Sequence, residues 1–179
     1  DVRGLSALHA GLYTLPFAAM TVIFAPISGR IVGARGTRPP LAVAGVAIIA
    51  AGVMLSMLQR DTPTGWLLAS YVVFGLGFGM LNAPITNTAV SGMPRSMAGV
   101  AASIPSVGRQ TGTTLGVAIS GTIVGSSLAA GGTAYTDAER PLWWMMLGLG
   151  IGIIALAVIS TGHRAEGTAR QAALLFDGL

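Results

Sequence analysis

Apolar residues run along this chain in long blocks separated by short polar stretches. A membrane-spanning helix needs about 20 mostly apolar residues, and five blocks qualify: 10–32, 40–58, 66–90, 98–126 and 142–161. The spacers 34–39, 59–65, 91–97 and 127–141 are short and polar, and a tail runs from 162 to 179. Backbone inside lipid must satisfy its own hydrogen bonds, which leaves helices or a closed barrel. Barrel strands are shorter and alternate polar with apolar residues, and these blocks do not alternate. The pattern predicts an all-α membrane protein, with a transmembrane bundle of about five helices over 1–161 and a cytoplasmic tail over 162–179.

Composition agrees with this and removes other classes. Of 179 residues 53% are apolar, 26 are Gly and only 9% are charged, against about a quarter charged in an ordinary soluble domain. That excludes a soluble globular enzyme, a disordered linker and a nucleic-acid-binding domain. The high pI of about 10.7 comes from ten scattered arginines, and no basic stripe exists for nucleic acid to follow. With no cysteine, disulfides and thiolate sites are ruled out. His9 and His163 stand at opposite ends of the chain, so they form no zinc site. No paired carboxylates and no nucleophile–base pair stand in or beside the spans. The expectation is a protein that is not an enzyme and carries no metal or cofactor. The chain begins at Asp1, without a signal-peptide pattern, and reads as a piece of a larger chain.

Arginine sets the orientation, because cytoplasmic loops carry the excess of basic residues. With five spans, Arg30, Arg35, Arg38, Arg95, Arg164 and Arg170 fall on one side, and Arg3, Arg60 and Arg140 on the other. Six against three makes the first side cytoplasmic. The N-terminus is then outside and the C-terminus inside a cell membrane. Trp66, Trp143 and Trp144 fall near the outer ends of their spans, where interfacial aromatics belong.

Arg109 is the one charge deep within a span. It stands eleven residues into the fourth span, roughly 16 Å from the cytoplasmic end and near mid-membrane. A charge at that depth costs on the order of 3 kcal/mol, so it must face protein or a water-filled cavity. Gln110 follows it. The third span carries Asn82, Thr86 and Asn87 around Pro84. Asn82 lies roughly 10 Å above the cytoplasmic end of its span, within reach of Arg109 if the two spans pack as neighbours. Two roles stand open for these six residues: interhelical hydrogen bonding and helix shaping, or lining and gating a substrate path.

Small residues mark where helices should meet. Gly75 and Gly79 do so in the third span, and Gly108, Gly112 and Gly116 form a four-residue repeat along the fourth. On that spacing Gly112→Leu is expected to disrupt packing of the fourth span. Pro16, Pro26, Pro84 and Pro105 lie within spans, each removing a backbone donor. Gly29, Arg30, Arg35, Gly36 and Arg38 make the first cytoplasmic turn, either as a topology anchor or as a charge latch on one conformation.

These residues resemble a known family. The spacing of Gly29 and Gly36, with basic residues around them, is similar to the cytoplasmic loop motif of the major facilitator superfamily, although Gly33 and Ala34 stand where an acidic and a basic residue are usual. The stretch 75–124 resembles the last spans of the fourteen-helix drug:proton antiporters. The matching residues are Gly75-Leu76-Gly77, Ala83-Pro84, Pro94-Arg95, Ala98-Gly99, Arg109-Gln110, Gly112 and Leu115-Gly116-Val117-Ala118. The resemblance implies a C-terminal bundle, helices ten to fourteen, of a multidrug efflux transporter. Such a protein exports hydrophobic or cationic small molecules by alternating access, coupled to proton entry through residues outside this chain. Its implied partners are the lipid bilayer, the missing N-terminal helices and a small-molecule substrate, with no nucleic acid. The alternative is a stand-alone membrane protein that scaffolds or modulates a partner.

Overall fold

A computed structural model describes residues 7–58, 62–90, 98–129 and 135–159. Its helices are α1 (Ala7–Tyr13), α2 (Leu15–Arg35), α3 (Arg38–Ser56), α4 (Thr64–Val90), α5 (Ala98–Ala129) and α6 (Tyr135–Ile159), with no strand among the described residues. The protein is all-α, as the unbroken apolar blocks predict. The five blocks fall on α2 to α6, and the first also takes in the end of α1. The tail 162–179, with Arg164 and Arg170, lies outside the described residues, as do Arg3, Arg60 and Arg95.

Local sequence explains the breaks. Pro16 sits at the start of α2, where it has no N–H to continue the helix and disfavours helical backbone at Leu15. The chain therefore turns at Thr14, whose hydroxyl donates to the Gly11 carbonyl at 2.7 Å. At the other end of α2, Gly36 takes φ +80°, a left-handed conformation open to a residue without Cβ. Its N–H donates to the Val32 carbonyl at 3.0 Å. Pro39 and Pro40 then open α3, at helix positions that need no amide donor.

Among the described residues four helical stretches are long and apolar enough to cross a membrane: Gly11–Arg35, Arg38–Ser56, Thr64–Thr88 and Pro141–Ile159. The sequence pattern also counts 98–126 as a span, yet α5 is not among the four. At 32 residues α5 is the longest helix, but Arg109, Gln110 and a run of threonines, serines and glycines dilute its apolar character.

The helices are packed by small residues, and large apolar side chains face outward. The buried positions include Ala44, Ala47, Ala51 and Ala157, while Val22, Val46, Leu156 and Ile159 are exposed. That arrangement suits lipid, which is as apolar as the side chains and gives helices no hydrophobic reason to associate. The centre is α4, which packs against both α2 and α3; α3 in turn packs against α6. A Cβ on Gly75 would lie 2.5 Å from the Phe17 carbonyl oxygen, and one on Gly79 would lie 3.1 Å from that of Thr21, both on α2. Gly77 faces the other way, where a Cβ would lie 3.2 Å from the Ala44 carbonyl oxygen of α3. Glycines at alternate positions thus let two helices approach α4 from opposite sides. The α3–α6 crossing uses Gly45 and Gly150, each of whose added Cβ would press on the other's carbonyl oxygen, at 3.1 and 3.2 Å. The sequence reading did not single out this pair. At one end of the bundle, Trp66 Nε1 donates to the Met54 carbonyl at 2.9 Å and ties the start of α4 to the end of α3.

The repeat on α5 meets no neighbour among the described residues. A Cβ on Gly108, Gly112 or Gly116 meets no atom within 4 Å. The spacing does smooth one face of α5, but among the described residues no helix covers it. Periodicity marks a face and does not say what approaches it. The expected damage from Gly112→Leu therefore has no packing origin in this bundle.

Pro84 runs through α4 without breaking it. Lacking an N–H, it leaves the Met80 carbonyl one turn earlier without its helical donor. The Ser28 hydroxyl of α2 supplies one, at 2.7 Å, in a fully buried position. A carbonyl left bare in the bundle interior would cost about 1–3 kcal/mol.

Two outcomes follow for this bundle in detergent. Gly150→Leu should destabilise it by about 1–3 kcal/mol, as overpacking does, while Gly112→Leu leaves it unchanged; thermal unfolding of the two variants side by side checks this. Ser28→Ala should cost about 1–2 kcal/mol. Most of that loss should vanish in a Pro84→Ala background, where the substituted position regains an N–H and donates to the Met80 carbonyl along the helix. A double-mutant cycle on unfolding free energy measures the coupling.

Candidate functional site

The polar residues of α4 and α5 first satisfy themselves. Hydroxyls within a helix can donate back to the carbonyl four residues earlier. Thr86 bonds Asn82 at 2.9 Å, Thr113 bonds Arg109 at 2.8 Å and Thr114 bonds Gln110 at 3.0 Å in this way. The Asn82 amide nitrogen donates to the Phe78 carbonyl at 3.1 Å. This turns its oxygen toward α5, where Arg109 donates to it from 3.5 Å, a long and weak hydrogen bond. Among the described residues the guanidinium reaches no other acceptor.

A cleft of about 400 Å³ opens between the two helices. From α4 it is lined by Phe78, Leu81, Asn82, Ile85 and Thr86, and from α5 by Ile104, Pro105, Gly108 and Arg109. Three sequence candidates, Asn82, Thr86 and Arg109, therefore meet in one place. Gln110 does not join them; it shares with Ser106, Arg109 and Thr113 a separate hollow of about 230 Å³. Asn87 is exposed and lines neither space. Pro84 is fully buried in α4 and lines neither space, so a role there runs through the helix it shapes. Gly29 sits beside Ala83 of α4, with 4.0 Å from an added Cβ to the alanine methyl. Arg30, Arg35, Gly36 and Arg38 are exposed around the α2–α3 turn, away from the cleft.

The sequence reading missed an aromatic cluster beside the cleft, of whose three rings Phe78 is the one in the cleft lining. Phe17 of α2 stacks on Phe74 at 5.3 Å, and both rings meet Phe78, at 5.6 and 6.4 Å. Phe74 and Phe78 stand four apart, so their shared helix face was legible; that Phe17 completes the cluster was not. Ile104 was missed as well, because nothing local marks which apolar residues of a membrane helix face a cavity; Pro105, noted in the sequence only as a proline within a span, stands beside it in the lining. The result is an apolar, partly aromatic cleft with a few convergent polar groups, the usual make-up of a small-molecule site.

Comparison with known proteins places this arrangement. A family model described as Major Facilitator Superfamily matches residues 1–117. The Multidrug resistance protein Stp of Mycobacterium tuberculosis is 32% identical over 130 residues, 73% of this chain and 24% of that protein. The Tetracenomycin C resistance and export protein of Streptomyces glaucescens is 32% identical over 127 residues, 70% of this chain and 23% of that protein. The Quinolone resistance protein NorB of Staphylococcus aureus is 29% identical over 161 residues, 87% of this chain and 33% of that protein. The chain thus spans about a quarter to a third of the length of the curated relatives it matches. No solved structure matches it. With its apolar helices, its small-residue packing and a family match over about two thirds of its length, the chain is a multi-pass membrane protein that belongs to the major facilitator superfamily.

Proposed function

We propose that this chain is the C-terminal part of a transporter that exports hydrophobic small molecules from the cell by alternating access. The observation that carries this reading is the α4–α5 cleft. In this reading Arg109 and Asn82 lie about 16 Å and 12 Å from the cytoplasmic ends of their helices, near the mid-membrane depth at which such transporters bind. Export is in the name of the relative from Streptomyces, and drug resistance in the names of all three relatives. In this reading α5 crosses the membrane as the fourth of five spans, with its polar face turned to protein and water instead of lipid. The arginine-rich turn around Gly36 lies in the cytoplasm, the N-terminus outside and the C-terminus inside, in the cell membrane. The remaining helices complete the substrate path. They also carry the proton-coupling carboxylates, since α4 and α5 contain no Asp or Glu.

Arg109→Ala in the full-length transporter should abolish efflux and leave membrane insertion intact, because the lone charge at the cleft is lost while the packed α2–α4–α3 core is untouched. Efflux from cells, read beside the amount of protein in the membrane fraction, checks this. Wild-type efflux in the variant would take Arg109 out of the transport path.

A further inference from the structure

The charge of the cleft has one sign. Arg109 is the only charged residue in either of its walls, since α4 and α5 together contain no other Arg and no Lys, Asp, Glu or His. A cation entering this space would meet a fixed like charge, with no carboxylate on α4 or α5 to offset it. An anion would meet a guanidinium whose one acceptor among the described residues, Asn82, stands 3.5 Å away. Most of its five N–H donors are left for a ligand. Their forked geometry suits a carboxylate, which accepts two parallel bonds. Thr86, Thr113 and Thr114 donate to their own helices, and among the described residues none of these hydroxyls accepts from Arg109. Opposite the charge the wall is apolar. Phe78 keeps 40% of its surface exposed and belongs to a three-ring cluster. A volume of about 400 Å³ admits a drug-sized molecule.

We propose that the α4–α5 cleft binds amphipathic organic anions, aromatic molecules bearing a carboxylate, with Arg109 pairing with the carboxylate and Phe78 packing on the ring system. This rests on the export reading and gives it a substrate class, of opposite charge to the cationic compounds that the family resemblance implies. Asn82 acts as a positioning residue: its amide, held by the Phe78 carbonyl, turns its oxygen toward the guanidinium.

The test is equilibrium binding of three fluorescent probes to the full-length transporter in phosphatidylcholine nanodiscs at neutral pH: pyrenebutyrate, its neutral methyl ester, and pyrenemethylammonium. Pyrenebutyrate should bind about tenfold to a hundredfold more tightly than the ester, the range expected of a charge-assisted hydrogen bond, and the ammonium probe most weakly. Arg109→Gln should bring pyrenebutyrate down to the ester's affinity without moving the ester, and Arg109→Lys should keep part of the preference. Ile104→Trp, which fills the cleft from its exposed opposite wall, should weaken all three probes. An ammonium probe that binds as tightly as pyrenebutyrate overturns the proposal. So does an anion preference that survives Arg109→Gln, or pyrenebutyrate binding untouched by Ile104→Trp. Efflux of the same probes from cells is read separately. Binding preference without efflux would remove the export reading and keep the anion site; efflux without anion preference would do the reverse.

Discussion

Helices in lipid gain nothing by hiding apolar side chains from one another, so their association depends on how closely their backbones can meet. In this bundle that constraint is met on α4. Gly75 and Gly79 open one side to α2, and Gly77 opens the other to α3. Dispersion contacts, individually about 0.1–0.2 kcal/mol, then accumulate over two long seams. The Gly45–Gly150 crossing extends the same solution outward to α6. Side chains at these points would push the seams apart, and the aromatic cluster, the buried Ser28 bond and the cleft wall all depend on where α4 is held.

The second demand of lipid is that no polar group be left unmet. The chain answers it locally wherever it can. Threonines and serines donate back along their own helices, and the gap made by Pro84 is closed by one serine from the next helix. Against that background Arg109 stands apart. Its helix offers no acid, its neighbours spend their donors elsewhere, and Asn82 reaches it only at 3.5 Å. A cation beside an apolar cleft with so little local compensation is the feature of this bundle most suited to a ligand.

The helices divide accordingly. The α2–α4–α3–α6 array is tightly packed, while α5 rests more lightly on α4 and α6 and leaves its glycine face uncovered among the described residues. Tight packing resists deformation. A helix with an open, smooth face, one charge and a cleft beside it is the element whose position the rest of the bundle constrains least. Placing the candidate site on the border between the two regimes joins a rigid wall, α4, to an adjustable one, α5.

Much of this was legible in the amino-acid sequence. Long apolar blocks determined the all-α class, because lipid admits few other backbones. Gly36 and the Pro39-Pro40 pair marked the turn between α2 and α3 through rules of local geometry, whereas the break before Pro16 went unread inside the first block; helix rise put Asn82 and Arg109 within reach of each other once their helices are neighbours. The family was legible in the glycine, proline and arginine spacings. The tertiary structure decided the rest. It showed that Gly75, Gly77 and Gly79 serve two neighbours, that the Gly108–Gly116 repeat meets none of the described helices, that Ser28 answers Pro84 by bonding a carbonyl 52 residues away, and that Phe17 completes the aromatic cluster. Periodicity reports which residues share a face of one helix. Which face meets which neighbour depends on the fit of two surfaces distant in the chain, and that is settled only when the helices pack.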